Sequence, residues 1–152
     1  MKNVKKALSR LFAPRAWAAN SQTAGVHGNG AVSLEASAAI TRGQIVGFDS
    51  GKIKPATGDI LPIGVADDNG VAGEEIAVLL FGSTPGTLSV LSGGTIAAGS
   101  EVYSEASGKV SATAPAASAS KYCIGIAVGA AASGDEVEIA HCVARKITTP
   151  AS

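Results

Sequence analysis

The sequence IGVADDNGVAGEEIAVLL at residues 63–80 returns 61 positions later as IGIAVGAAASGDEVEIAH at residues 124–141. Both copies open with Ile-Gly, reach an acidic pair after a glycine, and end in a run in which every second residue is apolar. Alternation with a period of two is typical of a β-strand with one buried face. The side chains expected on the buried faces are Ile76, Val78 and Leu80 in the first copy, and Val137, Ile139 and Val143 in the second.

The repeat extends upstream of these two stretches. ITRGQIVGFDSGKIKPA (40–56) precedes the first copy and IAAGSEVYSEASGKVSA (96–112) precedes the second. Each contains Ser-Gly-Lys, in which the glycine permits the positive φ of a hairpin turn. Short strands separated by turn signals favour a small all-β domain. We therefore predict an all-β fold, a small barrel or sandwich built from two similar four-strand halves at approximately residues 40–88 and 96–143.

Length and composition agree with a single small domain that carries an appendage. The chain has 152 residues, of which 4% are aromatic and 16% charged, and the charged share is below the average of about 25% for globular domains. A surface with few charges often has a partner covering part of it. We divide the chain into a basic N-terminal arm (1–30), a β-domain (31–145) and a C-terminal tail (146–152).

The arm differs from the domain in charge. Residues 1–20 contain five basic residues and no acid, whereas the remainder has seven bases and twelve acids. Four apolar residues of the arm recur at the spacing of one helical stripe, which predicts a short amphipathic helix: Val4, Leu8, Leu11 and Phe12. Pro14 ends this pattern. Trp17 follows it, and two roles stay open for this ring, at an interface or folded back onto its own domain.

The arm also has some features of a targeting segment. Its basic start and the Ala-x-Ala at 16–18 are typical of a secretory signal, but Arg10, Pro14 and Arg15 interrupt the apolar run that a signal requires. No part of the sequence approaches the run of about 18 apolar residues that a membrane span needs. We expect neither secretion nor contact with a membrane.

The carboxylates of the first copy are the first candidates for a metal site, and they are Asp67, Asp68, Glu74 and Glu75. The second copy has Val128 and Gly129 in place of the two aspartates, yet it keeps an acidic pair after its glycine. What recurs is therefore a turn before a strand. The stretch also lacks the ligand spacing of a calcium loop. We interpret these acids as turn residues and expect no metal or other cofactor.

Catalytic candidates are few. His141 and Cys142 are neighbours in a predicted strand, so their side chains point to opposite faces and cannot act as a base and its nucleophile. We interpret Cys123 and Cys142 as small buried residues, and a single disulfide between them stays open. The glycines at 28–30 lack the context of a phosphate loop, and lysines do not interleave with aromatic residues as in nucleic-acid readers. We expect no enzyme and no direct contact with nucleic acid.

The order and doubling of these motifs resemble the small capsid decoration (cement) proteins of tailed bacteriophages. The resemblance covers residues 36–143 and rests on ITRGQIVGF, PIGVADDNGVAGEEIAVLLFG and YCIGIAVGAAASGDEVEIA. It implies a β-rich domain that binds the outside of the phage head, often as a homotrimer at local three-fold positions, and stiffens the shell. The partner would be the major capsid protein, and the protein would lie on the outer capsid surface of the virion.

The basic arm departs from the usual short form of that family, which begins close to the β-domain. We expect the arm to lie along the capsid lattice, where its basic residues meet acidic capsid surface and its apolar residues fill clefts. The residues expected to contact the capsid or a neighbouring subunit are Lys5, Lys6, Leu8, Arg10, Leu11, Phe12, Arg15 and Trp17.

Two other classes of function stay open. A carbohydrate-binding or adhesin module needs exposed aromatic residues, and the β-domain has four candidates: Phe48, Phe81, Tyr103 and Tyr122. A hydrolase with its site at a subunit interface would need His27 or His141 to meet a partner residue across that interface.

Overall fold

A computed structural model describes residues 30–58, 60–140 and 142–151. Within these residues the chain forms eleven β-strands and one short 3-10 helix at Ala106–Gly108. The strands of the first half are β1 (Ala31–Glu35), β2 (Ile45–Asp49), β3 (Lys52–Pro55), β4 (Pro62–Ala66) and β5 (Glu75–Leu80). Those of the second half are β6 (Leu88–Leu91), β7 (Glu101–Ser104), β8 (Val110–Ser111), β9 (Ser120–Ala127), β10 (Glu136–Ala140) and β11 (Arg145–Thr148). The predicted amphipathic helix lies outside the described residues.

The strands form two antiparallel sheets with the same order. Sheet 1 has the order β1-β5-β4-β2-β3, and sheet 2 has the order β6-β10-β9-β7-β8, with β11 also paired to β9. The all-β prediction is confirmed, and each predicted repeat unit contains four strands, β2–β5 and β7–β10. The sheets themselves have five and six strands, because β1, β6 and β11 add to these units. No helix in the described part of the chain is long and apolar enough to cross a membrane.

Each sheet curls without closing. The chain just after β1 makes one parallel bridge to β3, between Ala36 and Ile53, and the chain just after β6 makes the matching bridge between Ser92 and Val110. A single bridge is not a ladder of paired strands, so neither sheet becomes a closed barrel within the described residues. The barrel alternative is therefore corrected to two antiparallel sheets.

The turns repeat as well as the strands. Ser50 and Gly51 both have positive φ (52° and 84°), as do Ser107 and Gly108 (60° and 68°). Positive φ at two successive residues is the backbone of the tight hairpin turn that Ser-Gly-Lys predicted. Pairing also shifts register at the same place in both halves, between Val46 and Gly47 in sheet 1 and at the matching position in sheet 2.

Each half has its own inner core, built from matching positions. In the first half the core residues are Ala36, Ile40, Val46, Ile53, Ala66, Ile76 and Val78. The second core is larger because Ile45, Ala56 and Val65 of the first half also pack into it. The predicted buried faces of β5 and β10 are confirmed for Ile76, Val78, Val137 and Ile139. Val143 is 64% exposed, since β10 ends at Ala140 and the alternation does not continue past that residue.

Backbone hydrogen bonds also join the halves. The amide of Leu91 donates to the carbonyl of Gly43 (2.8 Å), and the amide of Gly108 donates to the carbonyl of Ala56 (2.9 Å). A Cβ on Gly108 would stand 2.7 Å from the backbone oxygen of Ile45, which is closer than real Cβ contacts allow. The glycine of the second Ser-Gly-Lys therefore permits both the turn and the close approach of the two halves.

Candidate binding surfaces

The residues predicted to contact the capsid all lie in the arm, outside the described part of the chain. The structure does show where the arm joins the domain. The carbonyl of Gly30 accepts a hydrogen bond from the amide of Leu80 (2.8 Å), and a Cβ on Gly30 would stand 2.6 Å from the backbone of Ser83 and Thr84. The arm therefore enters beside the segment that connects the two halves.

The acidic pairs of the repeat serve their own turns. The side chain of Glu74 accepts a hydrogen bond from the amide of Val71 (2.9 Å), and that of Asp135 accepts one from the amide of Ala132 (3.3 Å). Asp67 lies 3.6 Å from the guanidinium of Arg42. These contacts support the interpretation of the carboxylates as turn residues. Among the described residues there is no group of three or more His, Cys, Asp or Glu that could hold a metal ion.

The two cysteines are free and buried, so the interpretation as small core residues is confirmed and they do not pair in this structure. The Cys142 thiol donates to the carbonyl of Ile139 (3.2 Å). Burial raises the pKa of the Cys142 thiol, whereas a nucleophilic cysteine requires a lowered pKa. His141, which the hydrolase alternative would need at a subunit interface, lies outside the described residues.

A polar cluster that sequence reasoning missed joins β9 to the segment after β7. The ammonium of Lys121 contacts the carboxylate of Glu105 and the carbonyl of Thr113 (3.0 Å), and the hydroxyl of Ser111 donates to the same carboxylate (2.6 Å). Burial opposes ionisation of Glu105, but these hydrogen bonds and the nearby charge of Lys121 dominate and lower its pKa. The carboxylate therefore stays charged near neutral pH and is unsuited to act as a general acid.

Glu105, Ser111 and Thr113 of this cluster line an open cleft of about 420 Å³, together with Gly93, Gly94 and Lys109. In the first half the positions that match the two glycines are Ser37 and Ala38. No sequence motif marks the cluster, because Glu105 and Lys121 are brought together only by the pairing of distant strands. The polar groups of the cluster are bonded to one another. The cluster therefore has a structural role in the second half.

A second polar contact lies on sheet 2. The hydroxyl of Tyr103 donates to the carboxylate of Glu101 (2.5 Å), and Arg145 lies 3.8 Å from the other oxygen of that carboxylate. The hydrogen bond to Glu101, followed by burial, raises the pKa of Tyr103 to about 12. Tyr103 is therefore a neutral, buried ring at physiological pH.

The two halves differ most on one face of each sheet, which we call the outer face. On sheet 1 it carries the row Ile45, Val65 and Leu79, which lie directly opposite one another on β2, β4 and β5. Ile45 and Val65 are 0% and 2% exposed because the second half covers them.

On sheet 2 the matching row is Glu101, Ile126 and Ala140. Ile126 is 41% exposed, and its neighbour Val128 is 51% exposed. The described residues leave this row uncovered. Sequence reasoning did not find this surface, although the change from Ile45 to Glu101 at matching positions marks it.

Exposed aromatic rings are scarce. Of the four aromatic residues in the β-domain, Phe48 is the one that is exposed (51%), and Tyr103 is 7% exposed. Leu61, 52% exposed, lies near Phe48 at the end of the β2–β4 pairing. Sugar rings stack on aromatic faces, so a single exposed phenylalanine gives little support to the carbohydrate-binding alternative.

Comparison with known proteins agrees with the doubled β-architecture. The sequence model of the phage cement protein family matches residues 25–145. The fold is similar to the crystal structure of the head fiber gp8.5 N base in bacteriophage phi29, with a TM-score of 0.59 and 19% sequence identity over 74% of this chain and 94% of that chain. At this identity the likeness concerns the fold alone. No curated protein matches the chain. Because the family match spans both halves and most of the chain, the protein belongs to the phage cement protein family.

Proposed function

We propose that this protein is a non-catalytic structural component of a phage virion that binds the outer surface of the capsid and stabilises the shell. The observation that carries the proposal is the family match over residues 25–145, which includes both halves of the domain. The phi29 head fiber base adds a structural neighbour that also comes from a phage head.

The construction of the domain suits this role. Backbone bonds and a shared core join its halves, and within the described residues every buried side-chain nitrogen and oxygen has a hydrogen-bond partner. A ligand that binds only the assembled state stabilises that state, by an amount that grows with the ratio of ligand concentration to dissociation constant. Many identical copies on a lattice therefore stabilise a shell even where each copy binds modestly.

The partner in this proposal is the major capsid protein, and the bound form is a homotrimer on the outer capsid surface. The family match begins at residue 25, so residues 1–24 lie outside it. The basic and apolar residues of that arm would meet acidic surface and apolar clefts of the capsid. Removing the arm should then weaken binding while the domain stays folded.

Two observations support a non-catalytic role. The Cys142 thiol is buried with a raised pKa, and the carboxylate of Glu105 is held in its ionised form by Lys121 and Ser111. Neither group has the protonation behaviour of a nucleophile or a general acid near neutral pH.

The test is co-sedimentation of the full-length protein with undecorated phage heads over a series of salt concentrations. We expect saturable binding at a fixed ratio to the major capsid protein, and decorated heads that resist heating better than bare heads. A fall in affinity with added salt would implicate the basic arm, since exposed charges are screened within about 10 Å at 0.1 M salt. Absence of binding at every salt concentration would contradict the proposal.

A further inference from the structure

The outer face of sheet 2 combines exposed apolar side chains with carboxylates. Ile126 and Val128 lie beside β10, where Val128 donates its amide to the carbonyl of Glu138 (2.8 Å). Alternation along β10 places Glu136, Glu138 and Ala140 on this same face. The two carboxylates accept hydrogen bonds from the hydroxyls of Ser89 and Thr87. Neither glutamate belongs to any of the ion pairs formed by the described residues.

The first half shows what this face can hold. Its matching row is covered by apolar packing from the second half, which leaves Ile45 and Val65 almost fully buried. The second half has the same strand order and the same cross-strand neighbours. Its outer row therefore corresponds to one that is covered in sheet 1, but Glu101, with Arg145 beside it, stands in place of Ile45, and Ile126 is exposed.

The arm enters the domain close to this face. Gly30 packs against Ser83 and Thr84, and Thr87, which contacts Glu138, follows three residues later. Three peptide units span at most about 11 Å. The side chain of Val143 lies 3.9 Å from where a Cβ on Gly82 would stand, so the link between β10 and β11 meets the same connecting segment.

Charge and polarity of the arm match the face. Residues 1–20 carry five basic residues and no acid, together with the apolar stripe that begins at Val4. We propose that this basic segment, residues 1–20, docks on the outer face of sheet 2 of its own chain. The apolar stripe and Trp17 cover Ile126 and Val128, and the basic side chains approach Glu136 and Glu138.

The tether makes such a contact effective even where it is weak. Leu8 is 22 residues from Gly30, and an extended chain of that length reaches about 70 Å, so the linker does not limit access. A tethered ligand experiences an effective concentration of about a millimolar, and a contact with a dissociation constant of about 0.1 mM is then roughly nine-tenths occupied. The inference concerns the free protein and holds whether or not the arm also reaches a capsid.

The experiment uses the full-length protein with one nitroxide label, placed by Val128→Cys or, as the control, by Val71→Cys. Both valines are exposed (51% and 58%), and Val71 lies in the turn beside Ala36, at the end of β1 opposite Gly30. The native cysteines are buried and so react slowly with the label. The readout is the indole N–H signal of Trp17, the only tryptophan.

We expect loss of the Trp17 signal with the label at position 128 and its retention with the label at position 71. A Trp17 signal that persists with both labels, or is lost equally with both, overturns the inference. Mixing labelled, isotope-free protein with unlabelled, isotope-enriched protein tests the source of the segment. Signal loss in that mixture would mean that the arm of a second copy occupies the face, which also overturns docking within one chain.

Charge-reversal variants test whether the carboxylates are needed for the arm to dock. Glu136→Lys combined with Glu138→Lys should restore the Trp17 signal in protein labelled at position 128, and Glu75→Lys, an exposed glutamate at the matching place on sheet 1, should leave the signal lost. Equal signals in the two backgrounds would contradict the part of the inference that assigns the carboxylates a role.

Discussion

The two halves of this domain share a backbone but use one face differently. The inner cores occupy matching positions, and the turns, bridges and register shifts recur in both halves. On the outer face, however, Ile45 and Val65 of the first half are buried, whereas their counterparts Glu101 and Ile126 are exposed. The comparison separates residues that make each half fold from residues that fit that half to its neighbours.

The outer face of sheet 1 joins the two halves, whereas the described residues leave the matching row of sheet 2 uncovered. When two similar halves pack together, the outer face of one half can be buried against the other half. The matching face of that other half then stays exposed. The acidic residues around Ile126 limit the cost of leaving that surface in water. Variants at matched positions test whether this division between the halves is correct.

The largest effect should come from giving the first half the residue of the second. Ile45→Glu places a carboxylate at a fully buried position in the apolar core that the two halves share. Burying an unpaired charge belongs to the most destabilising class of substitutions, so we expect a loss of about 4 kcal/mol or more. Urea unfolding followed by circular dichroism would measure it, or would show that no folded state remains.

The reciprocal change is the matched control. Glu101→Ile removes a contact to Arg145 at 3.8 Å and the hydrogen-bond acceptor of Tyr103, both at the surface side of sheet 2. We expect a cost of about 1 kcal/mol. If the two substitutions destabilised the protein equally, the proposed difference between the outer faces would be wrong.

The next largest effect concerns the joint between the halves. Gly51 and Gly108 occupy matching turns with φ of 84° and 68°. A Cβ at Gly51 would have nothing within 4 Å, whereas one at Gly108 would meet the backbone oxygen of Ile45 at 2.7 Å. Gly51→Ala should cost about 1 kcal/mol for backbone strain alone, and Gly108→Ala more than about 2 kcal/mol. Equal midpoints of thermal unfolding for the two variants would contradict this account of the joint.

A smaller effect should separate the ion pairs of the two halves. Lys121 and Glu105 are 19% and 31% exposed, whereas Lys54 and Asp49, which are 2.8 Å apart, are 34% and 47% exposed. Charge-assisted hydrogen bonds that are partly buried contribute about 1–2 kcal/mol, and exposed pairs contribute less than about 1 kcal/mol. Lys121→Met should therefore destabilise the protein more than Lys54→Met in urea unfolding at pH 7.

The pH dependence gives this prediction a second measurement. The pKa of Glu105 is lower in the folded protein than its ordinary value. Its contribution is therefore fully present above the ordinary pKa of about 4.3 and is lost as the pH falls through the lower folded value. The difference in stability between wild type and Lys121→Met should shrink as the pH is lowered below about 4. A difference that is constant from pH 7 to pH 3 would show that the pair contributes through packing alone.

Much of the fold could be predicted from the sequence because it depends on local patterns. Alternation placed Ile76 and Val137 on buried faces, and Ser-Gly-Lys predicted turns that both halves contain. The sequence repeat includes neither β1 nor β6, because those two strands have little in common beyond alternation. The position of Val143 was wrong because alternation does not reveal where a strand stops.

The surfaces were harder to predict than the strands. The cluster of Glu105, Ser111 and Lys121 depends on how β8 and β9 are placed around β7, which no motif encodes. The exposed row around Ile126 depends on which outer face the other half covers. Two similar halves do not reveal this, since either copy could have been the covered one. The predicted capsid contacts in residues 1–20 lie outside the described residues and stay predictions.

The smallest expected effect is a change in capsid affinity, which follows if the basic segment both docks on sheet 2 and binds the capsid. Docking then competes with capsid binding, because the apparent dissociation constant equals the intrinsic one divided by the fraction of protein with a free arm. With about nine-tenths of the arms docked, releasing them should tighten capsid binding up to tenfold, or about 1.4 kcal/mol. Glu136→Lys with Glu138→Lys should therefore bind undecorated heads more tightly than wild type in co-sedimentation at low salt, and Glu75→Lys should bind as wild type does.

The gain should fade at high salt, where screening releases the arm of the wild type too. Weaker binding by the double variant would instead mean that these two carboxylates face the capsid, and the outer face of sheet 2 would then be the contact surface and not the resting place of the arm.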